Sequence, residues 1–225
     1  MRSQFLKSSG FRFAAGAALL AVLLQTSACS IIKPPKRPEI LTFVLDAPLP
    51  AASEGVAQGN SQTGETRVLR VSTMASSGVY DTSQMAYSKK PEEIKYFATH
   101  RWAEPPPEML IPILIAGLER TAHFPALIGP SSRAPGDLML ETQLLSFRQD
   151  FGGSKPQFHA TVRASIMNAK NGAILGSPRT FDIVEPMDEE KPTAGVRAAG
   201  RAAAKLAEEI ALYSVQTAEA FPPAQ

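Results

Sequence analysis

The stretch Phe158-His-Ala-Thr-Val-Arg-Ala-Ser-Ile166 decides the fold class. Phe158, Ala160, Val162, Ala164 and Ile166 alternate with His159, Thr161, Arg163 and Ser165. Strict period two over nine residues is the signature of a strand with one buried face and one wet face. Upstream, Leu138 to Phe147 alternates in the same way, with Leu138, Leu140, Thr142 and Leu144 on the apolar side. Downstream, Asn168-Ala-Lys-Asn-Gly172 reads as a turn into a third strand near Ser177 to Val184. Three strands joined in this way make an antiparallel meander.

Outward from the meander, both flanks end in helices. Before it, Glu104-Pro-Pro-Pro107 ends a strand and opens a helix, since proline is tolerated in a first helical turn. Met109, Leu110, Ile113, Leu114, Gly117, Leu118 and Thr121 recur at helical spacing, and Pro112 should bend this helix or delay its start. After the meander, Glu185 to Pro192 reads as a charged loop, and Thr193 as the N-cap of a long closing helix. Val196, Ala199, Gly200, Ala203, Leu206, Ala207, Ile210 and Tyr213 or Ser214 trace its inner face. Residues 218–225, with Pro222-Pro223, read as a loose tail.

Earlier in the chain, Ile40 to Leu45 predicts a first strand and Asp46 to Glu65 a long flexible loop. Thr66 to Ser72 predicts a strand flanked by Arg67 and Arg70. Gln84–Ser88 and Ile94–Trp102 predict a hairpin around Lys89-Lys-Pro-Glu-Glu93. By alternation Tyr96, Ala98, His100 and Trp102 share one face of its second strand, and Phe97, Thr99 and Arg101 the other. The expected fold is α+β: a mixed, largely antiparallel sheet covered by two helices in a two-layer sandwich.

The amino terminus is of another kind. Arg2, Lys7 and Arg12, with no acid among them, precede a twelve-residue apolar run from Phe13 to Leu24. That run is short of the roughly 20 residues that cross a bilayer as a helix, and the pattern is that of a secretory signal peptide over 1–28. Thr26-Ser-Ala-Cys29 follows, and Cys29 is the one cysteine of the chain. An internal disulfide is therefore excluded. Small residues before this cysteine resemble a bacterial lipobox, in which the thiol becomes the site of lipid attachment, although Thr26 stands where Leu is usual. The alternative is an ordinary signal-peptidase cut that leaves a free thiol. Ser30, not Asp, after the cysteine favours the outer membrane by the usual sorting rule. Residues 29–39 read as a tether, because three prolines in Ser30–Glu39 favour extended chain reaching roughly 30 Å. Residues 40–217 form the folded domain.

Charge narrows the function. The chain carries 23 basic and 21 acidic residues, and loss of 1–28 removes three of the basic ones, leaving −1. A near-neutral body gives no electrostatic case for nucleic acid. His100, His123 and His159 lie at no metal-ligand spacing, and there is no HExxH, Gly-x-Ser-x-Gly, Walker loop or GxGxxG. A triad assembled from distant segments remains open to geometry alone. The acidic pairs Glu92-Glu93, Asp188-Glu-Glu190 and Glu208-Glu209 read as solvated surface. No cofactor, metal site or enzymatic reaction is expected. His100-Arg101-Trp102 is the most distinctive cluster: Arg and Trp suit a contact surface, and a Trp at a strand end before an apolar helix also suits a core plug.

The run Met85-Ala-Tyr-Ser88, Tyr96, then Thr99-His-Arg-Trp-Ala-Glu-Pro105 and a Leu/Ile-rich helix resembles the ABC-type transport auxiliary lipoproteins, including the paraquat-inducible protein C type. Arg101, Trp102, Ala103, Glu104 and Pro105 match the Arg-Trp-Ala-Glu-Pro signature, and the likeness covers about Ile40 to Tyr213. Thr26 and the loop from Asp46 depart from the family pattern. The resemblance implies a periplasmic, non-enzymatic lipoprotein, with Cys29 bearing diacylglycerol and palmitate and sitting in the inner leaflet of the outer membrane. It implies partners: an ABC permease, its ATPase and an MCE-domain substrate-binding protein that together move lipids or hydrophobic molecules between the two membranes. It also makes a homo-oligomeric ring one of the implied arrangements. Tyr96, His100, Arg101, Trp102 and Glu104 are the candidate contact or core residues. A stand-alone lipid-binding or envelope-assembly lipoprotein is the alternative.

Overall fold

Nine strands and two helices follow one another between Leu41 and Ala220 in the computed structural model, which describes residues 38–49 and 65–222. The leader, Cys29, most of the tether and the loop over 50–64 lie outside the described residues. In chain order the elements are β1 (Leu41–Phe43), β2 (Leu69–Val71), β3 (Ala75–Ser76), β4 (Gln84–Ser88) and β5 (Lys95–Trp102). Then come α1 (Pro106–Glu119), β6 (Leu127–Ile128), β7 (Leu138–Asp150), β8 (Gln157–Asn168), β9 (Ile174–Pro186) and α2 (Pro192–Ala220).

β7, β8 and β9 form the expected antiparallel meander, and the β7–β8 ladder runs from Leu138↔Asn168 to Asp150↔Gln157. On the other side of β7, three short parallel strands line up in series: β2 at Leu69↔Leu138, β3 at Ala75↔Gln143 and β4 at Tyr87↔Gln149. The segment from Leu69 to Ser88 thus behaves as one interrupted strand beside β7. β5 pairs antiparallel with β4, β1 parallel with β5, and β6 parallel with β2. The sheet is mixed, with the long ladders antiparallel, and with the two helices it makes the expected α+β fold.

Alternation sets the buried face. Leu138, Leu140 and Leu144 of β7 and Phe158, Ala160, Val162 and Ile166 of β8 are buried. The register then slips between Leu144↔Val162 and Ser146↔Thr161. This bulge leaves Leu145 43% exposed and brings Phe147 and Gln149 onto the core side. A strict period-two count cannot foresee that change of phase. At the β8–β9 turn, Asn168 Oδ1 accepts the Lys170 N–H, and Gly172 takes φ 73°, a left-handed conformation that a residue lacking Cβ adopts freely.

The helices add detail to the expectation. α1 starts at Pro106 and continues past Pro112, so the proline does not delay its start. Pro112 and Glu108 both lie on the exposed side, so water can hydrate the Glu108 carbonyl that proline leaves without a donor. α2 starts one residue before the expected cap: Lys191 is its N-cap and Pro192 opens the first turn, so Thr193 caps nothing. It continues to Ala220, into the stretch expected to be loose, and Ala218 is fully buried.

α2 is also buried over a far wider arc than one amphipathic stripe. Ala194, Ala198, Ala199, Ala202, Ala203 and Ala207 are all at most 2% exposed. With the helix's glycines, these small residues let neighbouring segments approach from three directions. A Cβ on Gly195 would fall 2.1 Å from Gln149 of the sheet, and one on Gly117 of α1 would fall 2.9 Å from the Ala207 Cβ. A Cβ on Gly200 would fall 2.1 Å from the Asp46 carbonyl oxygen. The chain leaving β1 therefore straps across α2, and Ala47 and Leu49 pack against the core there. Among the described residues no helix is long and apolar enough to cross a membrane.

In an exposed helix, Gly→Ala stabilises by about 1 kcal/mol. At Gly200 the sign should reverse, because the methyl must push the strap off the helix. We expect Gly200→Ala to lower unfolding free energy by about 1–3 kcal/mol in urea titration.

Candidate functional site

The signature strand is clamped from both sides. Trp102 N–H donates to the Ser83 carbonyl at 2.7 Å, and Ala103 N–H donates to the Phe43 carbonyl at 2.7 Å. β1 lies parallel alongside, with Leu41 opposite His100 and Phe43 opposite Trp102. Trp102 is 3% exposed, its ring 5.7 Å from Phe147, which in turn meets Phe158 edge-on at 4.8 Å. Trp102 is thus a core plug that fixes the end of β5 over the meander. Its neighbours Arg101, Ala103 and Glu104 are exposed. Pro106 and Pro107 are buried in the first turn of α1. The signature therefore divides into a buried anchor and an exposed charged pair three residues apart.

The expected two-faced pattern of β5 does not hold. Pairing passes from Gln84↔Arg101 to Ala86↔Tyr96, so β4 advances two residues while β5 advances five. With alternation broken, Phe97 and His100, on opposite faces by count, meet edge-on at 6.1 Å. His100 also stacks on Phe43 at 5.8 Å and 4°. Tyr87 stacks on Phe97 at 4.5 Å, and Phe151 closes on Tyr87 at 5.9 Å. The result is a row of half-buried rings across the β1, β5 and β4 end of the sheet. Tyr96, also half-buried, donates its hydroxyl to the Val79 carbonyl at 3.1 Å. Local alternation concealed this row because a register slip assembled it.

Two buried acids were missed by sequence reading. Glu185, expected in a loop, is the penultimate residue of β9 and 3% exposed. Arg201 Nε stands 2.9 Å and Lys205 Nζ 2.5 Å from its carboxylate, both reaching in from α2. Burial alone would raise the Glu185 carboxyl, but hydrogen bonds and charge from Lys205 and Arg201 outweigh it and hold it below its ordinary value. Glu65 is 9% exposed and accepts from the Arg67 guanidinium at 2.6 Å. Burial again opposes, and the Arg67 hydrogen bonds prevail, so Glu65 is lowered as well. Arg67, expected to flank a strand, instead donates to the Ala218 and Phe221 carbonyls at 2.7 and 2.6 Å. It therefore caps the C-terminus of α2 with a cation. The only sequence signal was Glu65 two residues before Arg67.

The three histidines lie apart. His100 is in the ring row, and His159 is 3.8 Å from Asp150. His123, 2% exposed, is 4.0 Å from Glu65 and 3.9 Å from Glu219. Among the described residues, no three His, Cys, Asp or Glu side chains gather as a metal would require. Ser72, Thr73, Glu141, Gln143, Arg163 and Ser165, with Ala75, Ile174 and Pro178, line a groove of ≈ 560 Å³ that is open to solvent and of mixed polarity.

From residue 44 to residue 211 the chain matches the family described as ABC-type transport auxiliary lipoprotein component. The protein belongs to this family. The matched span runs from just beyond β1 into the last third of α2, and includes Arg101, Trp102 and Glu104 of this auxiliary lipoprotein. A crystal structure of a Xanthomonas campestris protein superimposes with TM-score 0.66 at 18% identity, covering 80% of this chain and 97% of that one. A second, of an uncharacterised protein, gives TM-score 0.60 at 15% identity, covering 78% and 99%. At these identities the likeness is one of fold. No curated protein matches the chain.

Trp102→Ala should cost about 3–5 kcal/mol in denaturant unfolding, and Arg101→Ala less than about 0.5 kcal/mol. Glu185→Gln tests the buried pair. A depressed folded-state pKa contributes stability above the ordinary glutamate value of 4.5, lost as pH falls through the lower folded value. Wild type should therefore exceed Glu185→Gln by about 1–2 kcal/mol at neutral pH, a moderate figure because Arg201 and Lys205 remain partly wet. The gap should close as pH falls below 4.5.

Proposed function

We propose that this auxiliary lipoprotein is the outer-membrane-side docking subunit of an MCE-type ABC transport system that moves lipids or other hydrophobic molecules between the two membranes. Acyl chains on Cys29 hold the body at the inner leaflet of the outer membrane. Two or more chains make such anchoring lasting, because each buried methylene contributes about 0.8 kcal/mol. The MCE-domain protein, served by the permease and ATPase, meets the body, which acts by position and catalyses no reaction.

The observation that carries this reading is the split signature. Arg101 and Glu104 are exposed, while Trp102 beneath them is locked into the core. Charged groups presented on a rigid mount lose little entropy on docking and select a partner of complementary charge. The groove on the sheet is open to solvent and so a poor enclosure for an acyl chain, which supports docking over stand-alone lipid binding. Copies of the chain arranged side by side would repeat the charged pair.

The test exchanges the two charges. Arg101→Glu with Glu104→Arg should leave the unfolding transition of the body unchanged, since both side chains are in water. Recovery of the MCE-domain protein from gently solubilised envelopes should fall at least about tenfold. Undiminished recovery, or no MCE-domain protein with the wild-type chain, would refute the docking role.

A further inference from the structure

We propose that the free edge of β9, between Thr180 and Val184, takes up an extended segment of another protein as an added strand, one rich in β-branched residues with a lysine or arginine at its centre. This surface is separate from the Arg101 and Glu104 pair, because β5 and β9 lie on opposite sides of β7 in the sheet.

The hydrogen-bond pattern shows which groups are open. β9 pairs with β8 alone, and the ladder is unbroken from Gln157↔Pro186 to Ala164↔Arg179. Met187 N–H continues it, donating to the Pro156 carbonyl at 3.0 Å. In an antiparallel ladder, residues that bond the neighbouring strand alternate with residues that do not. Counting back from Met187, Glu185, Ile183 and Phe181 bond β8, while Pro186, Val184, Asp182 and Thr180 turn their main-chain groups outward. The Pro186 carbonyl agrees with this phase, since it accepts from Arg201 Nη2 at 2.6 Å. Among the described residues, no group bonds the outward amides and carbonyls of Thr180, Asp182 and Val184. Donors and acceptors alternating along one line match the main chain of an extended peptide.

Sheet edges are commonly blunted by proline, bulges or lysine. The first half of β9 is blunted in this way: the register slips between Ala164 and Ile166, Gly176 takes φ 68°, and Pro178 follows. The stretch from Thr180 to Glu185 has no proline, no lysine and no slip. Its inward charge, Glu185, is already matched by Arg201 and Lys205. Protection of the edge thus stops where the open groups begin.

A second copy of the chain is a poor occupant. Antiparallel pairing of two β9 strands through all three outward residues would set the two Asp182 carboxylates opposite each other, and like charges there destabilise. A shift of two residues either way brings Pro178 or Pro186, which lack an N–H, into the new ladder. The same Asp182, held on the outer face by Thr161 Oγ1 donating at 2.7 Å, favours a foreign strand with a cation opposite it. Thr180 and Val184, exposed on either side, suit β-branched partners.

The experiment mixes the full-length protein, in mild detergent, with a blocked heptapeptide, Ser-Thr-Val-Lys-Val-Thr-Ser, and reads amide hydrogen exchange residue by residue. In the free protein the amides of Thr180, Asp182 and Val184 should exchange at least about tenfold faster than those of Phe181 and Ile183. Millimolar peptide should slow the three outward amides at least about tenfold. The same peptide N-methylated at its lysine and both threonines should not slow them, and one with glutamate for lysine should bind at least about threefold more weakly. Val184→Pro removes one outward donor and no bond to β8, so it should abolish the peptide's effect with the unfolding transition unchanged, whereas Val184→Thr should keep it. Slow exchange at all three amides in the free protein would overturn the proposal, and slowing that grows with protein concentration would assign the edge to a second copy instead. No protection by the peptide, or equal protection by its N-methylated form, would overturn it too.

Discussion

The fold depends on how closely backbone can approach α2. Helix-on-sheet packing ordinarily separates backbones by the length of the side chains between them. Here alanine and glycine occupy most of the inward and lateral positions of a 29-residue helix. The sheet, α1 and the strap after β1 each touch it through a residue that would clash with one added carbon. Small side chains forgo part of the hydrophobic gain of leucine or phenylalanine. Dispersion contacts from three sides at once make up part of that difference. Large apolar groups are accordingly concentrated elsewhere, in Phe147, Phe158, Phe181 and Trp102 between sheet and helices.

That arrangement explains where charges sit. A helix packed on several sides has few wet positions, so Arg201 and Lys205 lie at its margin and reach back to Glu185 at the end of β9. At the carboxyl end of the helix Arg67, oriented by Glu65, supplies donors to the last carbonyls. The helix is thereby held near its middle and at its carboxyl end by charge-assisted hydrogen bonds, which are shorter and stronger than neutral ones. The β1–β5 edge carries the other specialised feature. A buried tryptophan holds a charged pair in water, and a register slip exposes a row of rings beside the point where the folded body begins.

Much was legible in local pattern. Period two in Phe158–Ile166 and Leu138–Leu144, turn chemistry at Asn168–Gly172 and proline at the start of each helix are short-range signals, and they specified the meander, the helices and the α+β class. The Arg-Trp-Ala-Glu-Pro run pointed to the family that the match over 44–211 establishes. The slip at Leu145, the five-residue advance in β5, the strap over Gly200 and the partners of Glu185 and Glu65 were not legible. Each depends on a contact between residues far apart in the chain.

What the sequence by itself determined is which faces want water and which do not, because alternation and helical spacing are properties of neighbouring residues. Only the tertiary structure decided which polar residues those faces would nevertheless bury. Glu185 and a solvated glutamate look alike along the chain. The difference is made by two cations brought in by a helix that starts seven residues later. Their hydrogen bonds offset the cost of taking a carboxylate out of water, and that cost cannot be assessed before the partners are in place.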